Sequence, residues 1–309
     1  MSIRWSPPFW VGDREFSAED LANIQDMVYR CRRLSRAEVA ATVCENLPWK
    51  APNGRLKVMA CRHLLTALET AGVIQLPPKK YTRHRTNRDI EALPAPPVTL
   101  RTALTTLRPI TVDPVPDEER QMWNATLAAY HPLGYRRPIG AHQRYWIRRQ
   151  HGADRRIILG ALLFGAAAKA VAARDAWIGW TATERSRFRW RIVNNHRFLI
   201  LPGVQVPHLA SHILGLVARQ IPADWVRRYG YRPSLLETFV EAPWSGTCYR
   251  AANWQCLGET AGRGRQDRHH EAGVSVKTIW VYPLGHHWRT TLVAPPYHSA
   301  ARDEEGMPQ

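Results

Sequence analysis

Ten of the chain's 23 prolines fall between residues 77 and 138, among them Pro77-Pro78, Pro94, Pro96-Pro97, Pro114 and Pro116. Proline fixes φ and removes a backbone donor, so neither a long helix nor a central strand runs through such a stretch unbroken. The sequence is thereby divided into a smaller amino-terminal unit (1–78), a connector (79–138), a larger unit (139–290) and a flexible tail (291–309). The connector is expected to be mostly extended, with one helical stretch from Glu118 to Tyr130. Two folded units suit a chain of 309 residues.

Hydrophobic spacing marks three helices in the first unit. Ser17, with Asp20 three residues on, resembles a capping arrangement, and Leu21, Ile24 and Val28 follow at helical spacing. Ser35 would cap a second helix that carries Val39, Val43 and Leu47 on one face and ends at Pro48. Asn53-Gly54 is a turn, and a third helix runs from about Arg55 to Thr70, before Gly72. Val73 to Leu76 reads as a short strand closed by Pro77. Helix, helix, turn, helix, strand is the order of a winged helix-turn-helix, whose third helix enters the DNA major groove. On that reading Asn53 or Arg55 reaches base edges. Arg55, Lys57 and Arg62 neutralise phosphates, and Lys79, Lys80, Arg83 and Arg85 form a basic arm. The competing reading is a small helical unit with an ordinary solvated basic face.

Charge favours a polyanionic partner. Lys and Arg number 43 against 26 Asp and Glu, a net +17, and all but six of the cations are arginine. The arginine fork makes paired hydrogen bonds to phosphate, and basic proteins gain affinity by releasing counterions from nucleic acid. DNA is therefore the expected partner. The excess is densest in residues 139–268, with 20 cations against 8 acids. The five cysteines are scattered without a CxxC pair, and the amino terminus lacks the apolar stretch of a signal peptide; both suit a cytoplasmic protein. The longest apolar run, Ile157 to Ala173, is broken by Lys169 and too short to span a bilayer, so no membrane association is expected.

The larger unit mixes strands and helices. Arg156 to Phe164 reads as a strand, Lys169 to Trp180 as a helix ending near Gly179, and Asn195 to Leu201 as a strand. A helix beginning at Pro207 follows, then a strand over Ser234 to Glu241, a short helix over Gly246 to Asn253 and a strand start at Cys256. Between them Arg185, Arg187, Arg189 and Arg191 alternate with Ser186, Phe188 and Trp190. If extended, this segment lines its guanidinium groups along one face, where Arg187 and Arg189 would track a phosphate backbone; if helical, it spreads them around a surface. The Gly262 to Arg265 turn offers Arg263 and Arg265 as a basic loop against phosphate. No metal is expected. Asp175, Glu237 and Asp267 have no spacing that demands one, and Cys248, Cys256, His269 and His270 fit no common zinc spacing.

Several long strings carry a family resemblance: Ser35 to Glu38 (SRAE), Pro52 to Arg55 (PNGR), Arg174 to Trp180 (RDAWIGW), Asn194 to Pro202 (NNHRFLILP), Leu236 to Val240 (LETFV), Gly246 to Trp254 (GTCYRAANW) and Gly262 to Arg265 (GRGR). In these the chain resembles the Druantia anti-phage protein DruA family, which also occurs with transposases. The resemblance implies a role in phage defence or mobile DNA, with other defence proteins as partners. Residues from about 140 to 262 also resemble the GNAT acyltransferases in the order of their elements. In that fold a strand leads into a Q/R-x-x-G-x-G/A turn that holds the pyrophosphate of an acyl-CoA. Here the turn reads Gln205-Val206-Pro207-His208-Leu209-Ala210, with His208 in place of the first glycine. This second resemblance implies acyl-CoA as cofactor, held by Gln205, His208, Leu209 and Ala210. It also implies Tyr249 as the group that protonates a leaving thiolate. Glu237, on the preceding apolar strand, is the candidate general base, unless it pairs with Arg174 or Arg197.

The expected architecture is thus α+β: a winged-helix-like helical domain and a mixed-sheet domain of GNAT-like order. The expected function is DNA association in defence or mobile elements. The alternatives are transfer of an acyl or related group to nucleic acid or protein, and a non-catalytic scaffold of a defence complex.

Overall fold

The computed structural model describes residues 5–78, 93–151, 155–262 and 275–294, which divide into two compact units. The smaller contains residues 5–78, 136–142 and 227–230, and the larger the remainder of the described chain.

The smaller unit opens with a hairpin of β1 (Phe9–Val11) and β2 (Arg14–Phe16). The Phe9 and Phe16 rings stack at 5.4 Å, and Phe16 meets Trp49 edge-on. Capping boxes at Ser17 and Ser35 start α1 (Ala18–Arg30) and α2 (Arg36–Asn46), and α3 (Val58–Thr70) follows. The stripes expected from sequence face inward: Leu21, Ile24 and Val28 on α1, Val39 and Val43 on α2, Leu64, Leu65 and Leu68 on α3 are all buried. Each such side chain contributes about 1.5–3 kcal/mol by leaving water.

The winged-helix order is not reproduced here. Residues 73–76 are not a strand, and the unit's β-hairpin precedes the helices instead of following them. The Val73–Leu76 segment has strand-like composition but no ladder partner. It is held instead by the Glu69 carboxylate, which accepts from the Leu76 N–H at 3.1 Å and from both terminal nitrogens of Arg36.

Beyond residue 93 the described strands and α-helices are β3 (Leu100–Arg101), α4 (Leu104–Leu107), β4 (Ile110–Pro114), α5 (Arg120–Tyr130), β5 (His142–His151), β6 (Arg155–Ala166), α6 (Ala172–Ile178), α7 (Ala182–Phe188), β7 (Ile192–Ile200), β8 (Val204–Gln205), α8 (Leu209–Tyr229), β9 (Leu235–Glu241), α9 (Thr247–Ala251), β10 (Gln255–Glu259), β11 (Lys277–Pro283) and α10 (Trp288–Val293), all in the larger unit except the first residue of β5 and the last three of α8. Among the described residues one seven-stranded sheet forms, in the order β10-β11-β9-β7-β6-β5-β4. It is mixed: β7 and β9 run parallel, whereas β9/β11 and β6/β7 are antiparallel.

Two expectations change, and the choice left open for residues 185–191 is decided. Residues 93–135 are built into this unit, because β4 pairs along five residues with β5 and the buried Trp123 of α5 donates to the Tyr145 carbonyl. Proline density misled because Pro114 ends a strand at the sheet's edge, where a missing N–H costs nothing. Residues 185–191 are helical, in α7 and a following 3-10 turn, so no strand lines up their guanidinium groups. The residues assigned to the tail begin inside α10, and those beyond 294 lie outside the described chain.

One sheet face buries Ala167, Ile192, Leu235, Val281, Trp288 and Leu292 beneath Trp177, Ile178 and Trp180. Among the described residues no helix is long and apolar enough to cross a membrane.

Candidate functional site

The parallel strands β7 and β9 form ladder pairs only from Ile192–Asn194 to Leu235–Glu237, although both strands continue beyond. Past that point the Thr238 hydroxyl donates to the Asn195 carbonyl at 3.0 Å, a side chain standing where a ladder bond would be. The Asn195 amide donates in turn to the Tyr249 hydroxyl at 3.1 Å. Its own Oδ1 is buried and has no hydrogen-bond partner among the described residues. An orphaned acceptor of this kind costs about 1–3 kcal/mol, which a ligand N–H would recover.

Tyr249 is placed by α9, which starts at Gly246 with φ +72. A Cβ there would lie 2.6 Å from the Trp280 ring, so glycine is required for the helix to start this close to β11. Tyr249 packs on Trp280 and edge-on to Trp254. Burial raises its phenol above the ordinary tyrosine range, so the group is a neutral O–H at physiological pH, able to donate a proton but not poised as an anion.

Glu237 is not part of this constellation. Its Oε2 accepts from Arg174 at 2.7 Å and its Oε1 from the Ala168 N–H at 2.7 Å, and both Glu237 and Arg174 are fully buried. Arg174 also donates to the Ala168 carbonyl and, through two nitrogens, to Asp175. Burial disfavours the Arg174 cation, but Glu237 and Asp175 more than offset this and hold its pKa above the usual arginine value. Side chains alternate across a strand, so Glu237 and Thr238 face opposite ways. Thr238 pairs in register with Trp280, on which Tyr249 packs. The expected base and the expected acid therefore lie on opposite faces of β9. Of the two possibilities read from sequence, the carboxylate takes the structural one, an ion pair with Arg174.

The turn before α8 gathers the four residues expected at a cofactor phosphate. Gln205 is exposed on β8, in parallel register with Arg101 of β3. His208 is exposed with φ +63, in the left-handed region that favours glycine, at the position where the related motif has glycine. Leu209 is buried as the first residue of α8, and Ala210 is half-buried behind it. The turn is clamped from outside: Gly203 accepts from the Leu100 N–H, and a Cβ on Gly203 would meet the Val98 carbonyl oxygen at 2.0 Å. One turn into α8, burial lowers the His212 pKa, reinforced by the charges of Arg108 and Arg219.

The expected nucleic-acid contacts are less uniform. Asn53 accepts from the Arg55 N–H through its own side chain, forming a turn ahead of α3, and both residues are exposed. Lys57 is tied to Asp13 at 2.7 Å. Arg62 is exposed on α3 beside Met59. Arg187 is exposed, and Arg189 donates to the Ala167 carbonyl. Lys79, Lys80, Arg83, Arg85, Arg263 and Arg265 lie outside the described residues. Among the described residues no group of three or more His, Cys, Asp or Glu side chains could hold a metal ion. Sequence reasoning missed Asn195 and Thr238 as site residues; each is a polar residue buried in a strand beside another, Asn194 and Glu237.

Fold and site together define an α+β protein on a mixed sheet, in which the parallel strands β7 and β9 separate beside a buried phenol. The chain belongs to the Druantia protein DruA family, whose model matches residues 79–279. No curated protein matches the sequence. Among solved structures, similarity is found to a putative arylalkylamine N-acetyltransferase 7 from the yellow fever mosquito Aedes aegypti, at 14% identity and TM-score 0.35, over 57% of this chain and 88% of that one. A probable GNAT-family acetyltransferase from Chromobacterium violaceum gives 13% identity and TM-score 0.34, over 68% of this chain and 98% of that one.

Proposed function

We propose that this protein serves anti-phage defence, or the mobile DNA its family accompanies, by contacting duplex DNA through α3. The observation that carries the reading is the outer face of that helix. Met59, Arg62, His63 and Thr66 are exposed at helical spacing, and the exposed Asn53-Gly54-Arg55 turn lies just ahead of its amino end. A 13-residue helix whose exposed face carries Arg62, His63 and Thr66 suits a major groove, and the net charge of +17 supplies the attraction. Electrophoretic shifts of duplex DNA at several salt concentrations test it. Wild type should bind in low salt. The R55A/R62A variant should bind more weakly, with the slope of log affinity against log salt smaller by about 1.8 for two lost phosphate contacts. Absence of binding in low salt, or an unchanged slope, refutes the reading.

A second reading is favoured by the separation of β7 and β9. In it the larger unit takes an acyl-CoA-type donor, its phosphates at the α8 turn and its amide-bearing arm between the strands, where Asn195 Oδ1 lacks a donor. Tyr249 then protonates the leaving thiolate, and no base is assigned to Glu237. Calorimetry with acetyl-CoA tests this reading. H208G, which relieves the left-handed backbone, should tighten binding, and Y249F should bind donor but fail in transfer. No heat with wild type or H208G retires it.

A further inference from the structure

The geometry points to a second nucleic-acid surface, on the larger unit, that takes single-stranded nucleic acid across α6, α7 and α10. The inference is independent of the role proposed for α3. It starts from a stack: the Trp177 and Trp288 rings lie 4.6 Å apart and nearly parallel, and the exposed Arg289 guanidinium sits over both, 5.0 and 4.3 Å from their centres. Arg289 is fixed there by donating to the Trp177 carbonyl at 3.2 Å. The cation thus lies against the indole pair at an exposed position, where its planar guanidinium can meet a base and its charge a phosphate.

The surroundings are basic. Arg191 joins α10 to the turn after α7 by donating to the Thr291 carbonyl. Arg187 is exposed on α7, and exposed Lys169 lies two residues from the Ala167 carbonyl that Arg189 engages. Within residues 169–191 the sequence has six cations and two acids, and both acids are already committed. Asp175 accepts from Arg174, Trp180, Arg185 and the Val171 N–H. Glu184 turns back onto the Thr181 N–H and hydroxyl, which hold its pKa below the ordinary carboxylate value. Asp175 is balanced by Arg174 and Arg185, and Glu184 stays an ionised carboxylate, so by sequence the segment keeps a net charge of +4 from its six cations and two acids. A single strand is favoured over a duplex because stacked bases must be unpaired to reach the Arg289 platform. The helices here are also too short to lie along a groove, α6 and α7 at seven residues and α10 at six.

Fluorescence anisotropy of the full chain tests this, with a labelled oligo(dT) single strand, a mixed-sequence duplex and acidic-lipid vesicles as competitor. Wild type should bind the single strand in low salt. K169A/R187A changes two exposed side chains and should reduce the salt slope for the single strand by about 1.4. R289A should weaken single-strand binding about tenfold, whereas R289K should restore only part of it, because an ammonium does not stack. Duplex affinity should be unchanged in all three, while R55A/R62A should show the reverse pattern. Failure of wild type to bind the single strand overturns the inference. So does equal loss on single strand and duplex, or displacement by vesicles with no effect of the variants. Loss of duplex binding alone would strike only the α3 reading.

Discussion

Replacing Arg174 by methionine removes the central cation of a buried network while keeping most of its volume. The wild-type guanidinium makes four hydrogen bonds of 2.7 to 3.0 Å: two to Asp175, one to Glu237 and one to the Ala168 carbonyl. In R174M the Glu237 carboxylate stays fully buried with only the Ala168 N–H as partner, whereas Asp175 retains Trp180, Arg185 and the Val171 N–H. Taking one partner from a buried pair costs about 3–5 kcal/mol, mostly because the remaining charge has no counter-ion. For a unit of this size that lowers Tm by roughly 6–20 °C. Adding E237Q removes the stranded charge while an amide oxygen still accepts from Ala168, so R174M/E237Q should recover about 2 kcal/mol relative to R174M. Urea titration followed by tryptophan fluorescence reads both, since Trp180 donates to Asp175 and packs with Trp177 and Trp288 in one apolar cluster. A loss in R174M below about 1 kcal/mol, or a double variant no more stable than the single one, would refute the argument that this pair holds α6 to β9.

Two further outcomes follow from local geometry. His131 has its pKa lowered from 6.5 to about 4 by burial, with Arg197 adding to the effect, so the folded chain refuses a proton that the unfolded chain accepts. Its stabilising share is complete above pH 6.5 and is lost as pH falls toward 4. H131N keeps an acceptor for the Leu133 N–H but does not titrate, so its Tm should differ less between pH 7 and pH 5 than that of wild type. An equal difference in the two proteins contradicts this. Gly203→Ala would drive a methyl group into the Val98 carbonyl oxygen, separating β3 from β8 and opening the turn before α8. A loss of about 1–3 kcal/mol is expected by calorimetry, and a neutral result would show that the clamp yields.

The local elements were legible because each is written in a few neighbouring residues. Ser17 and Ser35 cap where serine followed three residues on by an acid predicts, and Gly179 ends α6 with a left-handed residue. What failed was placement. Val73 to Leu76 has strand composition, yet a strand exists only if another lies alongside, and no local pattern reports that. Alternating arginines at 185 to 191 fit two periodicities, and the capping box formed by Thr181 and Glu184 decides for the helix. Prolines at 109, 114 and 116 look like a connector but bracket an edge strand.

The separation of β7 from β9 is a subtler case, because paired and unpaired parallel strands share the same apolar pattern. A 21-residue helix lies between them in sequence, so their register is a long-range fact. The trace that sequence does keep is chemical. Asn195 and Thr238 are, like Asn194 and Glu237 beside them, buried polar residues in these strands, and a buried polar side chain needs a partner. Each supplies a bond that the missing ladder cannot, Thr238 to the Asn195 carbonyl and Asn195 to Tyr249. One acceptor, Asn195 Oδ1, is still without a hydrogen-bond partner among the described residues, so an N–H placed beside it would gain a bond that packing alone does not supply.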